Sequence, residues 1–221
     1  EQVAAVPTAA MTALQGLRDH GEIRAGQEVL VNGASGGVGS FAVQIAKALG
    51  ADVTGVCSTS KMDTVRGLGA DHVIDYTQED FTKTGRQYDL ILGVGGYHPL
   101  AAYKRALKPN GRYVMTGGAM RQMFEAMLLG SFMSGTEGKK IVNFVQEIRQ
   151  QDLLFLKELM ERGELGPVID RSYPLVDVPR AIAFLESGKA RGKLVVQVEP
   201  TAARTSTEPH REGPPASYPT L

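Results

Sequence analysis

The sequence predicts an α/β chain built on a doubly wound parallel sheet of about six strands, finished by a short C-terminal return segment. Three observations carry that expectation. Apolar runs of strand length alternate five times with helix-patterned stretches between residues 28 and 118, and such alternation implies a parallel sheet with right-handed crossovers. A turn with four glycines in the seven positions from Gly33 to Gly39 separates the first of these runs from the first helix. With 221 residues, 43% of them hydrophobic, the chain can bury a substantial core.

The elements follow in order. A lead-in helix over PTAAMTALQGL precedes EVLVN (28–32), the first strand. VGSFAVQIAKALG then sets Val38, Ala42, Ile45, Ala46 and Leu49 at helical spacing and ends on Gly50, a residue suited to a helix C-cap. DVTGVC (52–57) is the second strand, and Ser60 with Asp63 three residues on reads as a capping box for the helix KMDTVRGLG. HVID is the third strand, with Thr77 and Asp80 as a further cap. YDLILGV and GRYVMTGG read as buried strands four and five, joined by the helix PLAAYKRALKPNG, which Pro109 and Gly111 stop. KKIVNFV is expected as a sixth, edge strand and QDLLFLKELMERGEL as an amphipathic helix. PVIDRSYPL, VPRAIAFLESG and GKLVVQV make a closing strand, helix and strand. These elements divide into a nucleotide-binding unit over 1–170, a return segment over 171–199 and a tail over 200–221. The tail holds five of the 11 prolines among Thr, Ser and Glu and is expected to be disordered.

Composition narrows the partners. Twenty-four basic side chains balance 24 acidic ones, so no net field draws nucleic acid or an anionic membrane. Cys57 is the only cysteine, which excludes an intrachain disulfide framework and fits a reducing compartment. No apolar run approaches the roughly 20 residues that span a bilayer, and no signal-peptide pattern opens the sequence. A cytoplasmic location and a small-molecule partner are the resulting expectations.

Gly33, Gly36 and Gly39 form G-x-x-G-x-x-G at the end of the first strand. A tight turn, close approach of a ligand and close helix packing each favour the absence of a Cβ there. The helix that begins near Val38 turns unpaired N–H groups and its positive dipole end toward that turn, a setting that suits a pyrophosphate. The second strand bears on which dinucleotide. NAD-selective sites usually carry an acid about 20 residues past the glycines; here the strand ends in Cys57, Ser58, Thr59, Ser60 and Lys61. Small hydroxyl side chains leave room for a 2′-phosphate and Lys61 supplies charge, which favours NADP(H).

The runs PTAAMTALQGL, VLVNGASGGVGSFAVQIAKALGADVTGVCSTSK, LGADHVIDYTQEDF, ALKPNGRYVMTGG and PVIDRSYPLVDVPRAIAFLESGKARGKLVV together resemble the medium-chain dehydrogenase/reductase superfamily, in its zinc-independent quinone oxidoreductase branch. The resemblance covers residues 1 to about 198 and implies a Rossmann-type doubly wound sheet. It implies pyrophosphate contacts at Gly36, Gly37 and Val38, and 2′-phosphate contacts at Lys61 and Tyr76. It places Thr12, the run Gly93, Val94, Gly95, and Thr116, Gly117 and Gly118 near the nicotinamide, with Lys193 of the RGK ending as a further contact. Thr8 stands where zinc-dependent members carry a cysteine ligand, and threonine is a poor zinc ligand beside a thiolate. The four histidines, His20, His72, His98 and His210, are scattered, and no metal site is expected. The family opens with a β-rich, barrel-like domain, nearly all of which lies outside this sequence, so the chain by itself is expected to bind cofactor and to be catalytically incomplete. Its relatives commonly dimerise through the edge strand, which implies a homodimer over residues 141–146.

The function that follows is NADPH-dependent, zinc-independent hydride transfer to a quinone or another electron-poor carbonyl or alkene acceptor. No residue qualifies as a general acid or nucleophile by spacing, so no catalytic residue is named. The alternatives are a non-catalytic NADPH-binding module or sensor and, further off, an S-adenosylmethionine-dependent methyltransferase, which would want an acid at the end of strand two. A short-chain dehydrogenase would need a Tyr-x-x-x-Lys pair, and none of the seven tyrosines has a lysine four residues on.

Overall fold

The structure, a computed structural model, describes residues 1–96, 98–116 and 137–198. Gly117, Gly118 and the tail from residue 199 lie outside those described residues.

Two helices, α1 (Gln2–Ala5) and α2 (Pro7–Gln15), lead through a π-helical turn at Gly16–His20 into β1 (Glu28–Asn32). There follow α3 (Gly37–Ala48), β2 (Asp52–Cys57), α4 (Met62–Gly67), β3 (His72–Asp75), β4 (Tyr88–Gly93), α5 (Leu100–Arg105) and β5 (Leu107–Met115). After residue 136 come β6 (Lys140–Asn143), α6 (Gln150–Glu161), β7 (Ile169–Pro174), α7 (Val178–Glu186) and β8 (Lys193–Gln197). Strands β1 to β6 form one parallel sheet in the order β3-β2-β1-β4-β5-β6. The order reverses between β1 and β4, so the connections leaving these two neighbours diverge and open a crevice at their carboxyl ends.

Side-chain alternation explains why the strands are apolar throughout. Val29, Val31, Leu90 and Leu92 face one core cluster with α3 and α6 residues, while Leu30, Ile91, Tyr88 and Tyr113 face a second with Phe81, Leu100 and Tyr103. Both faces are covered, as a parallel sheet requires. Helix α3 ends in a Schellman motif: Gly50, at φ +82°, donates its N–H to Lys47, and Ala51 donates to Ala46.

Several local expectations are corrected. The Ser60–Asp63 capping box does not form. Thr59–Lys61 winds as a 3₁₀ turn closed by the Lys61 N–H on the Ser58 carbonyl, and Lys61 becomes the uncapped N-terminal neighbour of α4. Thr77 caps nothing; it gives its N–H and hydroxyl to Asp75, while Asp80 accepts the Thr82 N–H and caps Phe81–Lys83. Pro109 and Gly111 do not stop a helix, because α5 is already over at Arg105 and both lie within β5. Pairing of Leu107 with Tyr88 starts that strand early, and the register shift before Leu90 pairs with Arg112 takes up the proline, which has no N–H to offer the ladder. The sixth strand ends at Asn143, so residues 144 and 145 are not part of it.

A buried polar clamp ties the two ends of this unit together. The Gln15 side chain exchanges hydrogen bonds with the backbone of Glu147 and donates to Asp152, which also takes the Arg18 guanidinium at 2.7 Å. Asp152 is almost fully buried, so these donors satisfy a carboxylate that would otherwise be costly to bury.

Helix α3 starts in near contact with the turn that precedes it. A Cβ on Gly39 would stand 2.0 Å from the Gly33 carbonyl oxygen, far inside any tolerable contact, and both atoms are backbone. Gly39→Ala is therefore expected to lower stability by about 1–3 kcal/mol or more, read as an earlier midpoint in urea unfolding; an unchanged midpoint would contradict this packing.

Candidate functional site

The crevice at the carboxyl ends of β1 and β4 has a volume of about 530 Å³. Asn32, Gly33 and Gly95 line it together with Ser58, Lys61, Tyr76, Phe81 and His98. The Asn32 carbonyl accepts the N–H groups of both Val94 and Gly95 at 3.0 Å, which fixes the β4 loop against β1. Its side-chain amide donates to the Tyr103 hydroxyl at 2.9 Å.

The glycines divide into two kinds. Gly33 has φ +90°, and a Cβ there would meet the Gly95 backbone at 2.9 Å, so Gly33, like Gly39, is small for the fold's own sake. Gly36 and Gly95 differ. A Cβ on Gly36 would find only the Gly33 oxygen at 3.5 Å, and one on Gly95 only the Gly33 Cα at 3.8 Å. Neither has a positive φ, so neither fold nor backbone demands glycine at these two positions. They leave the backbone clear at the N-cap of α3, which is Gly36, and at the crevice lining, which includes Gly95.

That helix presents an anion-binding end. Gly36 is its N-cap and carries no side-chain cap, and the first intrahelical bond runs from the Ser40 N–H to the Gly36 carbonyl. The first-turn N–H groups of Gly37, Val38 and Gly39 therefore have no helical acceptor, and the dipole of a 12-residue helix adds about half a positive charge. A second element closes on the same turn. Gly192 pairs with Gly36 in an isolated parallel bridge and gives its N–H to the Ser35 carbonyl at 2.9 Å. This lays the Lys193 side chain across Gly37, its Nζ 3.7 Å from where a Gly37 Cβ would be.

At the end of β2, Ser58 and Lys61 line the crevice, with Tyr76 standing exposed at the mouth. The Lys61 ammonium donates to the carbonyls of Gly188 and Ala190 at 2.9 and 2.8 Å. The Thr59 hydroxyl donates to Asp75, and the Thr77 hydroxyl sits 3.2 Å from it. These bonds from Thr59 first, then from Thr77, hold the Asp75 carboxyl below the ordinary aspartate range. Cys57 lies beneath the crevice as a neutral thiol, pushed up to about 11 by burial.

Gly93 and Thr116 stand together at the carboxyl ends of β4 and β5. Thr116 gives both its N–H and its hydroxyl to the Gly93 carbonyl. A Cβ on Gly93 would press on the Tyr113 hydroxyl at 2.6 Å, so that glycine serves packing. Thr12 sits four residues before Gly16, which packs on Leu92 and Thr116; its hydroxyl donates to the Thr8 carbonyl at 2.8 Å and lies 3.1 Å from the Gln146 side-chain oxygen. Four contributors were not singled out from the sequence. Asn32 and Asp75 were legible in principle, because parallel pairing sets Asn32 beside Gly93 and Cys57 beside Asp75. The Gly188 and Ala190 carbonyls were not, since a backbone acceptor leaves no mark on residue type.

Among the described residues no group of three or more His, Cys, Asp or Glu side chains stands together to hold a metal ion, and no helix is long and apolar enough to cross a membrane.

Comparison with known proteins identifies the family. A family model described as zinc-binding dehydrogenase matches residues 68–196. The mitochondrial NAD(P)H oxidoreductase RTN4IP1 of Bos taurus is 36% identical over 219 residues, covering 89% of this chain and 55% of that protein. The trans-enoyl reductase pgmF of Aspergillus terreus is 34% identical, covering 90% of this chain and 60% of its own length. The solved structure of the quinone oxidoreductase from Coxiella burnetii superposes with a TM-score of 0.77 at 28% identity, over 89% of this chain and 60% of that one. The chain thus spans somewhat over half the length of these relatives. With its six-stranded parallel sheet and glycine turn, it belongs to the zinc-binding dehydrogenase family of the medium-chain dehydrogenase/reductase superfamily.

Proposed function

We propose that this chain is the NADP(H)-binding part of an oxidoreductase that reduces a quinone or another electron-poor carbonyl or alkene acceptor. The observation that carries the reading is the pair of glycines, Gly36 and Gly95, that leave the backbone clear at the bare N-cap of α3 and at the crevice lining. A dinucleotide's pyrophosphate would take the N–H groups of Gly37 and Val38 with the Lys193 ammonium alongside, and its 2′-phosphate would lie among Ser58, Lys61 and Tyr76. Thr12, Gly93 to Gly95 and Thr116, with Gly117 and Gly118, would border the nicotinamide end. The cofactor when bound supplies hydride from its nicotinamide ring, and the protein supplies position and electrostatics. Names of relatives that combine NAD(P)H, quinone and enoyl reduction support the acceptor class. Zinc has no part in the proposal, because Thr8 offers a hydroxyl where a thiolate would be wanted.

Two measurements test the cofactor. In fluorescence titrations NADPH should bind more tightly than NADH, and Lys61→Ala should erase most of the difference, a loss of about 1.5–3 kcal/mol for one charge-assisted contact; equal affinities in the parent chain would contradict the reading. Gly36→Ala should leave the unfolding free energy from urea titration within about 0.5 kcal/mol of the parent while weakening both dinucleotides, and an undiminished affinity would show that the cleared space is not the phosphate site.

Assembly follows from the sheet edge. Strand β6 ends the sheet order, and beside it Val145 and Ile148 are 89% and 86% exposed. An apolar edge of this kind invites pairing with a second copy, so a homodimer along residues 141–146 is proposed. Light scattering at micromolar concentration should give twice the chain mass, and a monomer mass would remove the proposal.

A further inference from the structure

We propose that the backbone carbonyls of Gly188 and Ala190 are positioning groups that aim the Lys61 ammonium at the 2′-phosphate, so that the loop after α7 helps set the preference for NADP(H) over NAD(H). The proposal rests on the NADP(H) reading given above.

Lys61 and its two acceptors are separated by 127 and 129 residues, and the bonds are short, 2.9 and 2.8 Å. An ammonium has three N–H donors arranged about one nitrogen. Once two are held by carbonyls the direction of the third is fixed, and Lys61 lines the crevice. Both acceptors are neutral, and among the described residues no carboxylate lies within ion-pair distance of Lys61. The full positive charge therefore stays available to an incoming anion, on a side chain whose rotamer freedom is already restricted.

The loop is itself anchored. Gly188 is the left-handed residue after α7, at φ +68°, and donates its N–H to the Leu185 carbonyl. Four residues on, Gly192 is bonded to Ser35 in the glycine turn. One strap thus reaches two phosphate sites of the proposed dinucleotide: Lys193 at the pyrophosphate turn and the 188–190 carbonyls behind the 2′-phosphate lysine. NADPH and NADH differ only at the 2′ position, so mis-aiming Lys61 should weaken the first and spare the second.

Gly188 is a clean handle. A Cβ there would meet nothing within 4 Å, so Gly188→Ala perturbs only the backbone conformation, whereas Gly188→Asn keeps it, since asparagine tolerates the left-handed region. Dissociation constants for NADPH and NADH are measured by fluorescence on the parent, G188A, G188N, K61M and the double variant K61M/G188A. G188A should raise the NADPH constant about 5- to 10-fold while the NADH constant moves less than about 2-fold, and G188N should behave as the parent. In the K61M background G188A should add no further loss of selectivity. Equal weakening of both cofactors, tighter NADPH binding in G188A, or the same selectivity loss with Lys61 absent would overturn the proposal. A parent with no preference for NADPH would instead overturn the cofactor reading beneath it. Should G188A not fold, hydrogen exchange over residues 187–191 decides the matter without altering that backbone: it should be faster in K61M than in the parent, and unchanged exchange would overturn the proposal.

Discussion

The constraint on which the rest depends is the contact between Gly39 and the Gly33 carbonyl. It lets α3 begin close to the carboxyl end of β1, only the short turn of residues 33–36 lying between them. The helix end then faces the crevice that opens where β1 and β4 part. Asn32 completes the arrangement by holding the β4 loop through two backbone N–H groups. Moving α3 outward far enough to clear a methyl group that would stand 2.0 Å from a backbone oxygen would disturb core packing and crevice together, because Phe41, Val43 and Ile45 of the same helix are wholly buried.

Charge in the crevice comes from three sources of unequal reach. The α3 dipole contributes about half a charge that fades within a turn. Lys61 contributes a full charge in the crevice and Lys193 another beside Gly37, and each is placed by the return segment: Lys193 lies beside the Gly36–Gly192 bridge, and Lys61 is held by the loop after α7. Asp75 opposes them, since the bonds from Thr59 and Thr77 hold its carboxylate ionised. The β7–α7–β8 unit is thus part of the site's construction although the six-stranded sheet is complete without it.

Much of this was legible in the sequence wherever a local signal and the tertiary demand agreed. β1, α3 and β2 are read from buried apolar runs and from Gly50, and the structure places them within a residue or two. Legibility failed where a distant partner decided. The LAAYKRALK run has helical propensity to its end, yet Leu107 leaves the helix because Tyr88 offers it a strand partner. Ser60 and Asp63 have capping-box spacing, yet Asp75 draws Thr59 into a 3₁₀ turn first. The four glycines of the turn look alike in sequence, and only the atoms around each Cβ direction separate those the fold requires from those that clear a space. The lysine of the second turn could be read as a phosphate ligand, but not the two carbonyls that hold it.

The central claim is that Gly36 and Gly95 keep clear the place of a dinucleotide pyrophosphate at the head of α3. A crystal structure of the chain grown with NADPH tests it most directly. The account predicts pyrophosphate oxygens within about 3 Å of the Gly37 and Val38 backbone nitrogens, with the 2′-phosphate on the Lys61 side of the crevice. A dinucleotide bound elsewhere, or one that crosses this crevice without touching the first turn of α3, would contradict it.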